Sequence, residues 1–269
     1  MRSANAQWLE VLNTLVNCEN IVAPRGKSSR ELLGYQTRIQ MENPVVTIMS
    51  RDLGYRFMCA EAAWILSGDS RVLSIAPFAK AISDFSDDGQ LFFGAYGPKI
   101  VQQLPYVMRN LKDDLHSRQA VINIWRESPM RSKDIPCTLS LQWIVREGRL
   151  HCNATMRSSD VWLGLPYDWF NFSMISAYLL LLMSEIDPYF KGVLLGQLTV
   201  TAGSQHLYET NWDAADRLLT QPSEVKHLES FRLKDYNKPQ DLIDHLWNRA
   251  NLRLCKIDFM KELFDASAS

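Results

Sequence analysis

Apolar and polar positions along the chain change their spacing several times, and each change predicts an element. The opening MRSANAQWLEVLNTLV reads as the start of an amphipathic helix. The basic, polar run Pro24-Arg25-Gly26-Lys27-Ser28-Ser29-Arg30 follows and predicts an exposed, mobile loop able to meet an anion. Residues 33–49, with Val45-Val46-Thr47-Ile48, carry strand character, and Tyr55 to Ser67 predicts a helix stopped by Gly68-Asp69. A turn-rich stretch covers Ser83 to Gly97. Beyond it lie helical spacing over 101–114, a short strand from Ala120 to Trp125, and a hairpin joining Thr138–Val145 to Leu150–Met156 through Glu147-Gly148. Asp168 to Glu185 is the strongest helical segment and Val193 to Val200 another strand. Past Gln221 the chain turns polar, with helical patterns around 239–250 and 256–265. Strands and helices do not alternate regularly, and no repeat or linker divides 1–269, so the expected architecture is a single α+β domain.

Composition narrows the function classes. With 29 Lys and Arg against 30 Asp and Glu the formal net charge is −1, which lacks the basic excess of a dedicated nucleic-acid binder. A hydrophobic share of 46% and a charged share of 22% exclude disorder and fibrous classes. Cys18, Cys59, Cys137, Cys152 and Cys255 are scattered, without a CxxC pair, so neither a disulfide framework nor a metal site is predicted, and a reducing cytoplasm fits best. The N-terminus does not read as a secretion signal. The most apolar stretch, Trp169 to Met183, contains Asn171, Ser173 and Ser176 and falls short of the roughly 20 residues a bilayer requires. It predicts a buried core helix and no membrane partner.

Taken alone, Cys137 reads as a small buried hydrophobe. Its surroundings change that reading. Asp134-Ile135-Pro136-Cys137 enters one strand, the return strand delivers Met156-Arg157-Ser158-Ser159-Asp160, and Leu163-Gly164-Leu165-Pro166-Tyr167-Asp168 follows. This stretch resembles the thymidylate synthase family, which includes the nucleotide hydroxymethylases. The resemblance runs from about Arg25 to Tyr208 and leaves 221–269 divergent. It also takes in Glu61 through Asp69, Tyr96-Gly97, Ser117-Arg118 and His206-Leu207-Tyr208. It implies a three-layer α/β sandwich in a homodimer, a pyrimidine nucleoside monophosphate as substrate and 5,10-methylenetetrahydrofolate as co-substrate.

Residue by residue, the resemblance makes Cys137 the nucleophile that adds to C6 of the pyrimidine. The attacking form is a thiolate, which neighbouring guanidinium charge favours. Arg157, Arg118 reaching across the dimer, and Arg25 match phosphate-binding arginines, whose planar forks suit a phosphate monoester. Ser158 matches a phosphate and base contact, and His206 and Tyr208 match groups that bind the sugar hydroxyl. Glu61 matches a carboxylate that manages protons through water, and Tyr96 a tyrosine used in removing the C5 proton. Asp160, Leu163, Gly164 and Tyr167 match the folate-facing wall.

Departures from the family bear on substrate and product. Where thymidylate synthases carry an Asn that reads uracil, this chain has Asp168. Cytosine presents N3 as acceptor and N4 as donor, the reverse of uracil, and a carboxyl that shares a proton serves both. Deoxycytidylate hydroxymethylases show the same Asn-to-Asp change, so cytosine is the expected base; the alternative use of Asp168 is to cap the helix starting there. Ile82 stands where a tryptophan lies near the folate, with Phe85 near a second one, and the tail reads Phe264-Asp265-Ala266-Ser267-Ala268-Ser269 in place of a small apolar end. Both changes favour a wetter site and hydration to a hydroxymethyl product. Gln119 and Thr138 replace an arginine and a histidine common in the family. The expected activity is a cytidylate 5-hydroxymethylase acting on dCMP or CMP. The alternatives are a cytidylate methylase releasing dihydrofolate, a thymidylate synthase on dUMP, and a non-catalytic nucleotide- or RNA-binding relative.

Overall fold

A computed structural model describes residues 3–265 apart from Pro129 and Pro222, so Ala266 to Ser269 of the tail noted above lie outside the described residues. In chain order the elements are α1 (Ala4–Val16), β1 (Ile21–Val22), β2 (Ser29–Gln40), α2 (Tyr55–Leu66), α3 (Val72–Ile75), α4 (Tyr96–Asp113), β3 (Val121–Asn123), β4 (Thr138–Arg146), β5 (Arg149–Asp160), α5 (Leu165–Ile186), β6 (Leu194–Tyr208), α6 (Trp212–Thr220), α7 (Pro239–Asn251) and α8 (Lys256–Glu262). The strands form one six-stranded sheet in the order β1-β2-β6-β5-β4-β3. All neighbours run antiparallel except β5 and β6, which are parallel. A parallel pair needs a long crossover, and α5 supplies it.

Alternation along the strands gives the sheet two different faces. Ile39, Leu141, Trp143, Cys152, Ala154, Leu198 and Val200 are buried on the face that carries α5. The opposite face carries Gln36, Arg38, Gln142, Asn153, Thr155 and Thr201, partly or fully exposed. Helix α5 lies on the buried face, and α2, α4 and α7 pack outside it. The result is three layers: sheet, central helix and outer helices. Lying in the middle layer, α5 is apolar all round, with fifteen buried residues along it. Its 22 residues exceed the apolar run read from the sequence and are long enough to cross a bilayer, but the helix is enclosed by its own fold.

Three buried tryptophans find partners for their ring N–H groups. Trp143 donates to Ser176 Oγ at 2.9 Å, Trp8 to the Val161 carbonyl at 2.8 Å and Trp169 to Thr37 Oγ1 at 3.2 Å. Ser176→Ala would leave the Trp143 N–H without an acceptor in the core. We expect a loss of about 1–3 kcal/mol, read as an earlier midpoint in chemical denaturation.

Several predicted boundaries move. The strand expected over 33–49 is Ser29–Gln40. Val45 to Ile48 instead form a buried segment past the turn that Asn43 N–H closes onto the Gln40 carbonyl, with one isolated bridge from Ile48 to Val225. The basic loop ends earlier than expected, because Ser29 and Arg30 belong to β2; Arg30 donates to the Val16 carbonyl and lies over the Trp212 ring at 4.5 Å. Helix α4 begins at Tyr96 rather than at 101, because Gly97 seats its first turn against the end of α2. A Cβ on Gly97 would lie 2.8 Å from the Ile65 carbonyl oxygen. Helix α5 starts at Leu165, three residues before the predicted start. Helix α6 went unpredicted, although Ala215 and Leu218 give it a buried stripe.

Candidate active site

Strand register lines up one end of the sheet. Thr138 of β4 pairs with Met156, Asp160 of β5 pairs with His206 of β6, and Ser29 of β2 pairs with Tyr208. Cys137, Arg157, Ser158, Asp160, His206 and Tyr208 therefore share that end, although the chain brings them there from three strands.

Cys137 is half-buried at the entry to β4. Its carbonyl accepts from the Arg157 N–H at 2.8 Å, and Ser158 Oγ donates to its Sγ at 3.6 Å. Arg157 is clamped over the approach: Nε donates to Pro136 O at 3.0 Å, Nη2 to Ile135 O at 3.0 Å and Nη1 to Ser158 Oγ at 3.1 Å. The guanidinium thus polarises the hydroxyl that touches the sulfur, and a polarised hydroxyl is a stronger donor to a thiolate. The segment before Cys137 is anchored as well, since Asp134 Oδ2 accepts from Gly94 N at 2.7 Å.

Tyr96 opens α4 and points its phenol at the start of β4. Its oxygen accepts from Thr138 Oγ1 at 2.9 Å and Thr138 N at 3.3 Å. The threonine that departs from the family pattern is thus the residue that holds Tyr96. Burial pushes the phenol above the ordinary tyrosine range, and the neighbouring Asp168 and Cys137 push the same way.

Glu61 of α2 and Asp168 of α5 bring two carboxyls to one region. Glu61 Oε2 accepts from Asn171 Nδ2 at 2.7 Å, and burial raises its carboxyl to about 7 against the opposing pull of that hydrogen bond. Asp168 is held well above the usual carboxylate range, first by burial and then by Glu61 and Asp160. Its carboxyl meets no hydrogen-bond donor among the described residues. The helix-cap reading of Asp168 fails on position: Gly164 is the N-cap residue, and Asp168 lies a turn inside α5. Two nearby carboxyls driven toward neutrality make a site suited to sharing protons rather than to holding a cation.

The turn from β5 into α5 forms a wall beside them. Asp160 Oδ1 accepts from Trp162 N at 2.8 Å and Leu163 N at 3.1 Å, and burial raises its own carboxyl. Leu163 is 58% exposed. Gly164 takes the Asp168 N–H on its carbonyl at 3.0 Å. The Tyr167 hydroxyl accepts from Gly54 N at 3.0 Å, and its ring sits edge-on to Phe57 at 5.6 Å. His206 and Tyr208 meet edge to face at 4.8 Å. Ile82 packs against the core edge on the short helical segment Lys80–Phe85, where Phe85 is 53% exposed.

Sequence reasoning missed two residues. Arg51 is 7% exposed; it donates to the Trp162 carbonyl and covers the Trp162 ring at 4.6 Å, so it braces the wall from below. Nothing in Met49-Ser50-Arg51-Asp52 marks that arginine for burial. Asn171 is 4% exposed and holds Glu61; its signal is in the sequence, because it stands three residues after Asp168 in a mostly apolar run and so shares its face.

Of the three expected phosphate-binding arginines, Arg25 lies on the turn leading to Ser29, the partner of Tyr208, and Arg118 lies apart from the cluster. Arg25 is exposed in the short turn between β1 and β2, with a left-handed φ of 54°. Arg118 is exposed beside β3, where its carbonyl accepts from Gln142 Nε2 at 2.9 Å. Gln142 is five residues along β4 from Cys137, about 16 Å at the rise of a strand, so within one chain Arg118 is remote from the thiol.

A family model described as thymidylate synthase matches residues 6–253. Members transfer a one-carbon unit from methylenetetrahydrofolate to a pyrimidine nucleotide. Spanning nearly the whole fold and all the residues gathered above, that match means the chain belongs to the thymidylate synthase family.

Proposed function

We propose that this chain is a cytidylate 5-hydroxymethylase, using 5,10-methylenetetrahydrofolate and water to convert dCMP or CMP to its 5-hydroxymethyl form. The observation that carries the reading is Asp168: a carboxyl driven toward its neutral form, with no donor among the described residues, where a uracil-reading enzyme carries an amide. A carboxyl that shares a proton donates it to cytosine N3 and accepts from the N4 amino group, whereas an ionised carboxylate facing uracil sets its oxygen against the O4 acceptor.

Chemistry would then begin with the Cys137 thiolate adding to C6, which makes C5 nucleophilic toward the one-carbon unit. Arg157, through Ser158, would steady the sulfur's charge, and the remaining guanidinium N–H groups would meet the phosphate. Tyr96, beside the thiol, would serve in removing the C5 proton, and Glu61 would direct water and protons at the base. His206 and Tyr208 would bind the sugar. Asp160, Leu163, Gly164 and Tyr167, with Ile82 and Phe85, would face the folate. A homodimer formed through the uncovered sheet face would let Arg118 of one subunit serve the other, in keeping with its distance from its own Cys137. Water would reach the exocyclic methylene at the edge where Phe85 is exposed and give the hydroxymethyl product.

Mass spectrometry of reactions with dCMP, CMP and dUMP tests this directly. The expected result is a hydroxymethyl gain on a cytosine nucleotide with tetrahydrofolate released. A methyl gain on cytosine with dihydrofolate would make the chain a cytidylate methylase, and a methyl gain on dUMP would overturn the reading of Asp168.

A further inference from the structure

Among the described residues, Asn171 is the one side chain hydrogen-bonded to Glu61. Its Nδ2 donates to Glu61 Oε2 at 2.7 Å, across 110 residues of sequence, from a side chain only 4% exposed. Its other amide atom, Oδ1, is buried with no hydrogen-bond partner. An orphaned buried acceptor is destabilising, so a fold selected for stability alone would favour an apolar residue here, as at Phe170, Phe172 and Met174 on the same helix. The position instead keeps an amide, and one half of that amide is spent on Glu61.

We propose that Asn171 is a positioning residue that fixes Oε2 of Glu61 and so leaves Oε1 as the oxygen that exchanges protons in the cleft. The inference rests on the reading of Glu61 as the proton-managing group. With Oε2 committed, the carboxyl cannot rotate freely, and general acid–base transfer depends on such alignment. An amide also serves both charge states. Nδ2–H supports the carboxylate, and turning the amide over would offer the unpartnered Oδ1 to a carboxylic acid O–H. The other titratable groups acting with Glu61 in this region are Asp168 and Tyr167, both on α5. Neither supplies a donor to it.

The sign of the effect follows from which form the bond favours. An N–H donated to the carboxylate lowers the proton affinity of a buried Glu, so its removal raises that affinity. In the folded protein labelled with carboxyl carbon-13 glutamate, and with Glu61 assigned by Glu61→Gln, the wild-type signal is expected to titrate near 7. In Asn171→Leu, which keeps the volume and removes the amide, the midpoint is expected to rise by about one pH unit. Turnover on the preferred nucleotide should fall about tenfold or more, with KM within twofold and the limb of the pH profile assigned to Glu61 displaced in the same direction. An unchanged midpoint in Asn171→Leu overturns the proposal. Should that variant not fold, the wild-type protein still decides: the Asn171 side-chain amide signals must shift with the Glu61 midpoint, and amide signals that stay still across it overturn the proposal. The titration needs no substrate. A wild-type protein inactive on every pyrimidine nucleotide would defeat the proposed function and leave this test standing.

Discussion

Asp168→Asn is expected to reverse the base preference from cytosine to uracil. The substitution exchanges a neutral carboxyl for an amide of nearly the same shape, at a position set by the first turns of α5 and hydrogen-bonded to nothing else among the described side chains. Little of the fold should respond. Each mismatched buried contact costs about 1–3 kcal/mol, and two contacts invert between the bases, so the ratio of kcat/KM for cytosine over uracil nucleotides should fall by roughly a hundred- to ten-thousand-fold. Steady-state kinetics on dCMP, CMP and dUMP measure it. A variant that loses activity on all three, or keeps its cytosine preference, would show that Asp168 does not read the base.

Cys137→Ala should produce the largest single loss. With no sulfur to add at C6, C5 never becomes nucleophilic, and turnover should fall by about ten-thousand-fold or more. Nucleotide affinity should change only a few-fold, since Arg157 and Ser158 hold each other and keep their backbone partners at Pro136 and Ile135 without the thiol. Release of tritium from C5 reports the chemistry, and equilibrium dialysis reports the binding. Intact-mass analysis with a 5-fluorinated pyrimidine nucleotide and methylenetetrahydrofolate adds a further check, because fluorine cannot leave C5 as a proton would and the adduct should persist on the wild-type chain alone. A variant that retains turnover would remove Cys137 from the mechanism and return the chain to a binding role.

The site was legible where its geometry is local. From Cys137 to Asp168 the chain makes one hairpin, one turn and one helix start, so spacing in sequence translates directly into spacing on the sheet end. The alternation of Thr138–Val145 and Leu150–Met156 was enough to place Cys137 beside Arg157, and the observed backbone bond between them spans 2.8 Å. Legibility failed where position depends on packing between distant segments. Arg51 reads as surface charge until Trp162, 111 residues later, folds over it. Thr138 reads as a missing histidine until α4 delivers Tyr96 to its hydroxyl. Val45 to Ile48 have strand composition, but Pro44 and the turn at Asn43 divert them from the sheet. The start of α5 was missed because Gly164-Leu165-Pro166 looks like a breaker, whereas Pro fits the first turn of a helix.

The enclosure of α5 sets an order on how the molecule can be made. Phe170 stacks on Phe264 at 6.3 Å, and Phe264 meets Phe231 at 5.4 Å, so the helix completes its shell only with residues from the far end of the chain. Those residues are held in turn by α7, where His245 Nε2 bonds the Leu263 carbonyl oxygen at 2.8 Å and Arg249 reaches the Asp265 carbonyl at 2.6 Å. During synthesis α5 leaves the ribosome some eighty residues before its last cover does, at a stage when its apolar circumference has only the earlier strands, α2 and α4 to rest on. The stability of the catalytic end is therefore assembled last, and a chain stopped before α7 would present one of its most aggregation-prone surfaces at the helix that carries Asp168.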